Sequence, residues 1–194
     1  MLIHMERTGK NGFTLIEMLV VIAISAILLA IGVPSMKSFL ERNAVSGQVN
    51  TLLGTVALAR SEAIKRNGPV TVCRSENAET SDTPSCAGSG SNDWKIGWMT
   101  FLDRDGNGAF DPTQGDVLIS VQGAFGDSNS GGIKKNATNT LRFRNTGLLS
   151  SSSTTFTFQS ASKTPSRQQC VTISATGRAR LIASGKSGCE VNTP

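Results

Sequence analysis

The chain has 194 residues, 38% of them hydrophobic, and carries a formal net charge of +5, a size that suits one anchored domain. Its single histidine is His4 and it has no tyrosine, so the commonest general base and metal ligand is nearly absent. Neither a Gly-x-Ser-x-Gly motif nor a P-loop occurs, and we therefore expect no enzyme, no cofactor and no metal site.

The first predicted element is an apolar helix near the N-terminus. Residues 1–12 are polar and contain Arg7 and Lys10, and the block 13–33 that follows carries no charge after Glu17. A helix of about 20 apolar residues spans a bilayer, and the preceding positive charges predict a cytoplasmic N-terminus and an exported C-terminal part. A signal peptide and a plain membrane anchor are the ordinary interpretations. Glu17 fits neither well, because a carboxylate at the edge of a membrane helix is costly unless paired.

The helix is predicted to continue past Pro34, although a proline removes one hydrogen bond and tends to bend a helix. Apolar residues then recur mostly at spacings of three and four as far as Ile64, which indicates an amphipathic helix that packs on the rest of the domain. The run Asn67-Gly68-Pro69 is a strong stop signal. We therefore expect a helix from residue 13 to about residue 66, with a membrane half (13–34) and an amphipathic half (35–66).

After Pro69 the apolar pattern changes to a period of two, which predicts short strands separated by turns. The predicted strands cover residues 70–74, 97–102, 117–121, 141–144, 155–159, 170–175 and 178–183. A long helix followed by antiparallel strands is an α+β arrangement. Residues 67–194 are therefore expected to form an exported, β-rich globular domain.

Four cysteines fall in two local groups, Cys73 with Cys86 and Cys170 with Cys189. An exported domain permits disulfides, and four cysteines allow three pairings. The two local pairings are favoured because each closes a short loop. A zinc site built from all four cysteines is the alternative, and the absence of a Cys-x-x-Cys pair argues against it.

The run 103–108, Asp-Arg-Asp-Gly-Asn-Gly, matches the first half of a calcium-binding loop. Such a loop needs an acidic residue at its twelfth position, which here is Gln114, and no helices are predicted on either side. The alternative is a turn between strands, because Asp, Asn and Gly supply the backbone angles of tight turns. The turn is the favoured interpretation.

Charge is distributed unevenly along the globular part of the chain. Residues 67–127 contain nine acids and three bases, whereas residues 128–194 contain nine bases and one acid, Glu190. The C-terminal segment is therefore a candidate anion-binding surface. A solvated face that happens to be basic is the alternative.

The junction Gly12-Phe13-Thr14-Leu15-Ile16-Glu17 resembles the leader junction of type IV pilins and type II secretion pseudopilins. The resemblance implies that a prepilin peptidase cuts after Gly12, that residues 1–12 are a leader, and that the new N-terminal Phe13 is methylated. It implies that Glu17 neutralises the N-terminal amine of a neighbouring subunit, which makes two otherwise costly charges tolerable. The implied partners are the peptidase, other pilin subunits and, before assembly, the inner membrane.

Three further segments, 94–103, 141–147 and 173–180, are similar to the FimT/GspH family of minor pilins and pseudopilins. The resemblance implies a type IV pilin-like fold, with a single-pass inner-membrane anchor, a periplasmic domain and a place in the pilus after assembly. Within that family, a Gly-Arg-x-Arg motif marks the FimT branch, which is linked to DNA uptake in natural transformation. Gly177-Arg178-Ala179-Arg180 matches this motif in full.

The residues themselves favour DNA binding at this motif. Thr176-Gly177 is a plausible turn between strands, and residues two apart on a strand share a face at ~6.6 Å, so Arg178 and Arg180 are predicted to present two guanidinium groups side by side. Such groups bind phosphate without reading sequence, and Lys186 is predicted to extend the patch. Six other basic residues are weaker candidates: Lys134, Lys135, Arg142, Arg144, Lys163 and Arg167. The alternative is a structural minor pilin or pseudopilin that helps to initiate or assemble the filament without binding DNA.

Overall fold

The computed structural model describes residues 12–88, 92–135 and 139–189, so His4, most of the predicted leader (residues 1–11) and Glu190 lie outside the described residues. The chain forms two compact units, which meet in sequence between Phe39 and Leu40. The only α-helix of the described residues is α1 (Leu15–Lys65). It begins after Thr14, whose hydroxyl accepts a hydrogen bond from the Glu17 N–H at 3.3 Å, and such a cap satisfies one unpaired N–H group of the first turn.

Helix α1 continues through Pro34 and ends at Lys65. The predicted stop signal acts as expected, since Asn67 has a φ of +48° and the Gly68 N–H returns to the Ala63 carbonyl at 3.2 Å. Within α1, an eighteen-residue stretch has a mean hydropathy of 2.7 and none of it is buried. By length and composition, this helix is able to cross a membrane.

The second unit contains eight strands in the described part of the chain, where the sequence predicts seven. They are β1 (Val70–Arg74), β2 (Trp98–Leu102), β3 (Val117–Gln122), β4 (Ser130–Lys135), β5 (Thr140–Phe143), β6 (Thr154–Ser160), β7 (Gln169–Ile173) and β8 (Ala179–Ala183). Sheet A has the order β3-β2-β1-β5 and sheet B the order β4-β6-β7-β8, and all pairings are antiparallel. The predicted α+β class and antiparallel sheet are confirmed, and the sheet is divided in two.

One apolar cluster joins the amphipathic half of α1 to both sheets. Val45, Val49, Leu52 and Val56 recur at spacings of three and four and are almost fully buried, as a helix stripe that faces a core should be. They share the cluster with aromatic side chains from the strands and their connections. The aromatic members are Trp94, Trp98, Phe143, Phe156 and Phe158.

A buried ion pair ties α1 to the connection between β6 and β7. The Glu41 carboxylate is fully buried and accepts hydrogen bonds from Arg167 Nη1 at 2.7 Å and from Ser162 Oγ at 2.6 Å. A buried carboxylate needs such partners, because its removal from water is expensive. Arg167 is thus engaged in holding the helix to sheet B.

Both predicted disulfides are present. Cys73 pairs with Cys86 and Cys170 pairs with Cys189, each with Cα atoms 5.5 Å apart. The first links β1 to the loop that follows it, and the second links β7 to the chain beyond β8. Each closes a local loop and restricts the unfolded chain.

Candidate nucleic-acid interface

The predicted Gly-Arg-x-Arg motif lies in the turn between β7 and β8, and β8 is an edge strand of sheet B. The Gly177 N–H donates to the Ser174 carbonyl at 2.8 Å, and the Ser174 N–H donates to the Arg178 carbonyl at 3.0 Å. Gly177 has a φ of +73°, a left-handed conformation that glycine adopts without strain. Because Gly177 is buried, its part is to shape the turn.

A second turn, formed by Arg144 to Leu148, packs against the first. The Gly147 N–H donates to the Arg144 carbonyl at 2.8 Å, and the Leu149 N–H donates to the Ala175 carbonyl at 3.0 Å. A Cβ atom on Gly177 would lie 2.3 Å from the Gly147 carbonyl oxygen, closer than any side chain permits. The two turns therefore form one rigid surface, which also brings Arg144 beside the motif.

Arg178 and Arg180 are exposed, whereas Ala179 between them packs against the core cluster. Since alternate residues of a strand face the same side, both arginines are directed to solvent from the start of β8. Arg144 is exposed as well. None of these three arginines forms an ion pair with another residue that the structure describes.

The outer face of sheet B continues this surface with hydroxyl groups. In the strand register, Arg180 lies opposite Thr172, and Thr172 lies opposite Thr155. The hydroxyl groups of Thr155 and Thr172 are hydrogen-bonded at 2.9 Å. Hydroxyl and guanidinium groups are among the side-chain groups that contact phosphates in protein–DNA complexes.

The structure separates Lys186 from the motif, although the sequence predicted it as an extension of the patch. Arg178 precedes the first residue of β8, whereas Lys186 follows its last, in a turn where the Cys189 N–H donates to the Lys186 carbonyl. Five strand residues span ~16 Å. The end of sheet B at which β8 terminates is here called its far end. Lys163 and Arg167 lie near it, because the Ser184 hydroxyl, just after β8, donates to the carbonyl of the nearby Pro165 at 2.6 Å.

Two other weaker candidates are engaged elsewhere. Arg142 pairs with the buried Asp103, with Nη2 at 3.1 Å from Oδ2. Lys135 is buried, and desolvation lowers the pKa of its ammonium group from 10.5 to about 8. Lys134, the neighbour of Lys135, is exposed on β4, at the opposite edge of sheet B from the motif.

The segment 103–108, whose sequence matches the first half of a calcium-binding loop, folds as a turn around Asp103. The Asp103 carboxylate accepts from Thr71 Oγ1 at 2.7 Å and from the Gly108 N–H, and it pairs with the Arg142 guanidinium. Oxygens of Asp103, Asp105 and Asp116 approach within 4.8 Å of one another. The Arg142 guanidinium thus supplies positive charge beside these acids.

Sequence reasoning missed one residue of this surface, Arg60 of α1. Its side chain lies beneath both turns: Cβ atoms built on Gly147 and Gly177 would lie 3.2 and 3.4 Å from Arg60 Nε. Arg60 follows Val56 and precedes Ile64 at helical spacing, so it falls on or beside the apolar stripe. A charged residue at a position of the apolar stripe is the sequence feature that could have pointed to Arg60.

The residues of the predicted processing and assembly site lie at the start of the described chain. Gly12 and Phe13 precede α1, and the Phe13 side chain is 75% exposed. Glu17 stands exposed in the first turn of α1 and forms no ion pair within the described residues. The partner predicted for Glu17 is the N-terminal amine of another subunit. The role of Glu17 in assembly is therefore a proposal.

Comparisons with known proteins match the N-terminal segment and much of the rest of the chain. The family model described as "Type II transport protein GspH" matches residues 48–177, and the model described as "Prokaryotic N-terminal methylation motif" matches residues 7–33. The type IV major fimbrial protein FimA of Dichelobacter nodosus is 40% identical over 60 residues. That match covers 28% of this chain and only 38% of the relative's length.

The fold is similar to that of a solved minor pilin. A crystal structure of the type IV minor pilin FimU of Pseudomonas aeruginosa, in space group P21, matches with a TM-score of 0.57 at 21% identity and covers 76% of this chain and 95% of the FimU chain. A second FimU crystal form, P65, gives a TM-score of 0.51 at 20% identity, with coverage of 74% and 94%.

At this level of identity, the FimU likeness establishes a type IV pilin fold and nothing finer. The second family model adds that residues 7–33 have the sequence of a prokaryotic N-terminal methylation motif. The family model itself spans well over half of the 194 residues. The chain therefore belongs to the GspH family of pilin-like proteins.

Proposed function

We propose that this protein is a minor type IV pilin that binds extracellular DNA through Arg178 and Arg180, for uptake in natural transformation. One observation carries the proposal: Arg178 is exposed on the turn and Arg180 on the adjoining strand β8, and neither has an ionic partner among the described residues. Surface arginines held in this way are free to meet an anion.

The chemistry of the surface favours the phosphate backbone as the ligand. Guanidinium groups donate paired hydrogen bonds that match phosphate oxygens, and the exposed Arg144 adds a third guanidinium group to the surface. Contacts to phosphates position a protein on DNA without reading its sequence. Binding by one subunit is expected to be weak and dependent on salt, with several subunits or sites adding avidity.

DNA binding by the full chain in neutral detergent micelles tests this proposal. A fluorescent 30-base-pair duplex is titrated at several salt concentrations with the natural chain and with Arg178→Ala/Arg180→Ala. The variant should bind more weakly. The slope of log K against log[salt] should also become shallower, by the amount that corresponds to the loss of about two phosphate contacts. The control is Lys163→Ala/Lys186→Ala, which removes the same charge from the far end of sheet B and should bind nearly as the natural chain does.

Equal losses in the two double variants would mean that net charge, and not the turn, governs binding. No binding by the natural chain at low salt would favour the alternative function, a structural minor pilin or pseudopilin that helps to initiate or assemble the filament. In that case the basic turn would face another subunit.

We also propose the course of assembly. The prepilin peptidase removes residues 1–12 by cutting after Gly12, Phe13 is methylated, and α1 anchors the subunit in the inner membrane with its globular unit in the periplasm. Glu17 then pairs with the N-terminal amine of a neighbour as the subunit joins the pilus, which neutralises two charges that are costly in an apolar bundle. The exposed apolar side chains at the start of α1 support this proposal.

A further inference from the structure

A groove of about 390 Å³ separates α1 from the turn between β7 and β8. Its lining is mostly apolar and includes Leu53, Val56 and Ala57 of the helix, together with two arginines, Arg60 of the helix and Arg178 of the turn. The groove is thus continuous with the surface that carries the Gly-Arg-x-Arg motif. An apolar lining beside two guanidinium groups strengthens their electrostatic interactions, because less water screens them.

Arg60 is held in this groove by its neighbours. Its side chain lies next to both glycine turns, since Cβ atoms on Gly147 and Gly177 would lie 3.2 and 3.4 Å from Arg60 Nε. Arg60 Nε is buried and has no hydrogen-bond acceptor among the described residues, and Arg60 forms no ion pair with any of them. The positive charge of this half-buried side chain is therefore not balanced by an acid of the described residues, which favours an anion as its partner.

We propose that Arg60 is a third DNA-contacting arginine, which shares one phosphate group in this groove with Arg178. The inference rests on the proposed function and adds to it a residue from a different element. A phosphodiester has several acceptor oxygens and one negative charge, so it can accept hydrogen bonds from both guanidinium groups and offset half of their positive charge. A neutral ligand would leave the charge repulsion between the two arginines in place.

Placement on α1 gives Arg60 a property that Arg178 lacks. Its side chain is already packed beneath two turns, so little side-chain freedom remains to be lost when a phosphate binds. Arg178 and Arg180 are exposed and must become ordered on binding. Arg60 is therefore expected to contribute to affinity out of proportion to its single charge.

Two substitutions at Arg60 separate its charge from its hydrogen-bonding geometry. Arg60→Met keeps an unbranched stem beneath the glycine turns and removes the guanidinium, whereas Arg60→Lys keeps the charge and removes Nε–H. The natural chain and both variants are titrated with the same 30-base-pair duplex in micelles over a salt series. Arg66→Met is the matched control, because it removes the same charge from the same helix at a residue that pairs with Glu62.

We expect Arg60→Met to weaken binding about tenfold at low salt, as the loss of a charge-assisted hydrogen bond does, and to make the salt slope shallower by about one phosphate contact. Arg60→Lys should keep the natural salt slope but bind more weakly. Arg66→Met should bind as the natural chain does. In the ¹⁵N NMR spectrum, the Nε–Hε resonance that is missing in Arg60→Lys should shift when the duplex is added to the natural chain.

Other outcomes overturn the inference in distinguishable ways. If Arg60→Met binds with natural affinity and slope while Arg178→Ala/Arg180→Ala loses binding, Arg60 has a structural role and the proposed function stands. If the natural chain does not bind the duplex, both proposals are wrong. If Arg60→Met fails to fold, an Nε–Hε resonance that does not respond to DNA overturns the inference.

Discussion

At the scale of single residues, Gly177 decides whether the two turns fit together. Its φ of +73° and the 2.3 Å approach of the Gly147 carbonyl to its missing Cβ are independent constraints on the same position. Gly185 shares the first constraint with a φ of +75°, but a Cβ there would meet nothing within 4 Å. This pair of glycines therefore separates backbone strain from steric overlap.

We predict that Gly177→Ala lowers the free energy of unfolding by about 1–3 kcal/mol more than Gly185→Ala does, because only Gly177→Ala adds overlap to strain. Urea unfolding of the full chain in micelles, followed by the fluorescence of the buried Trp94 and Trp98, measures both. If the two variants lost the same free energy of unfolding, the turns would be shown to separate easily. Gly177→Ala should weaken DNA binding as well, since it displaces Arg178.

The sequence predicted the exposed arginines and both disulfides because each depends on local spacing. It did not predict Arg60, because the contact of Arg60 with Gly147 and Gly177 joins residues far apart in the chain. Nor did it separate Lys186 from the motif, since distance along β8 is visible only when the strand bounds are known.

At the scale of elements, the attachment of α1 to sheet B depends on a charge that water does not reach. Glu41 is fully buried and Arg167 is its ionic partner, whereas the carboxylate of Glu62 near the end of α1 pairs with Arg66 at the surface. The Arg66 hydrogen bond lowers the pKa of Glu62. The two pairs thus differ in burial and in what they join, since Glu41–Arg167 links α1 to the connection between β6 and β7 and Glu62–Arg66 lies at the end of α1.

We predict that Arg167→Met lowers the free energy of unfolding by about 3 kcal/mol, because a buried carboxylate loses its guanidinium. Arg66→Met should leave the unfolding midpoint nearly unchanged, since solvent screens an exposed pair. Urea unfolding under identical conditions compares them. Similar midpoints for the two variants would show that water enters the Glu41 site.

Strand β4 is the element that the sequence did not predict, and its glycines explain why. Ser130-Gly131-Gly132 is typical of a loop, yet the register with β6 shifts here, as at a β-bulge, and glycines are common at bulges. A Cβ on Gly131 would lie 2.7 Å from the Ser160 carbonyl. Contacts distant in sequence then hold the strand, such as the 2.7 Å hydrogen bond from Gln48 to Ser130.

At the scale of the whole molecule, the chain combines an apolar helix start with a globular unit whose acids and bases lie in different segments. The family match, the methylation motif and the fold agree on a pilin-like subunit. The junction at Gly12 and Phe13 is the most specific pattern in the sequence. It is also the feature that a measurement on the mature protein tests most directly.

We predict that protein purified from its own host has the mass of residues 13–194 plus one methyl group, allowing for two disulfides. Gly12→Val should keep residues 1–12, because it removes the glycine after which the proposed cleavage takes place. Asn11→Ala leaves that glycine in place and should be processed normally. Intact-mass spectrometry distinguishes these species, and a mature chain that begins elsewhere would contradict the proposed junction.

The disulfide between Cys170 and Cys189 closes a covalent ring around residues 171–188, which contain β8 and both motif arginines. Arginines at an exposed turn are preferred cleavage sites for trypsin-like proteases. A single cut beside Arg178 or Arg180 nevertheless leaves the two pieces joined through sulfur, with β8 still paired to β7. Within this ring, a protease must therefore cut twice before a peptide that carries Arg178 or Arg180 is released.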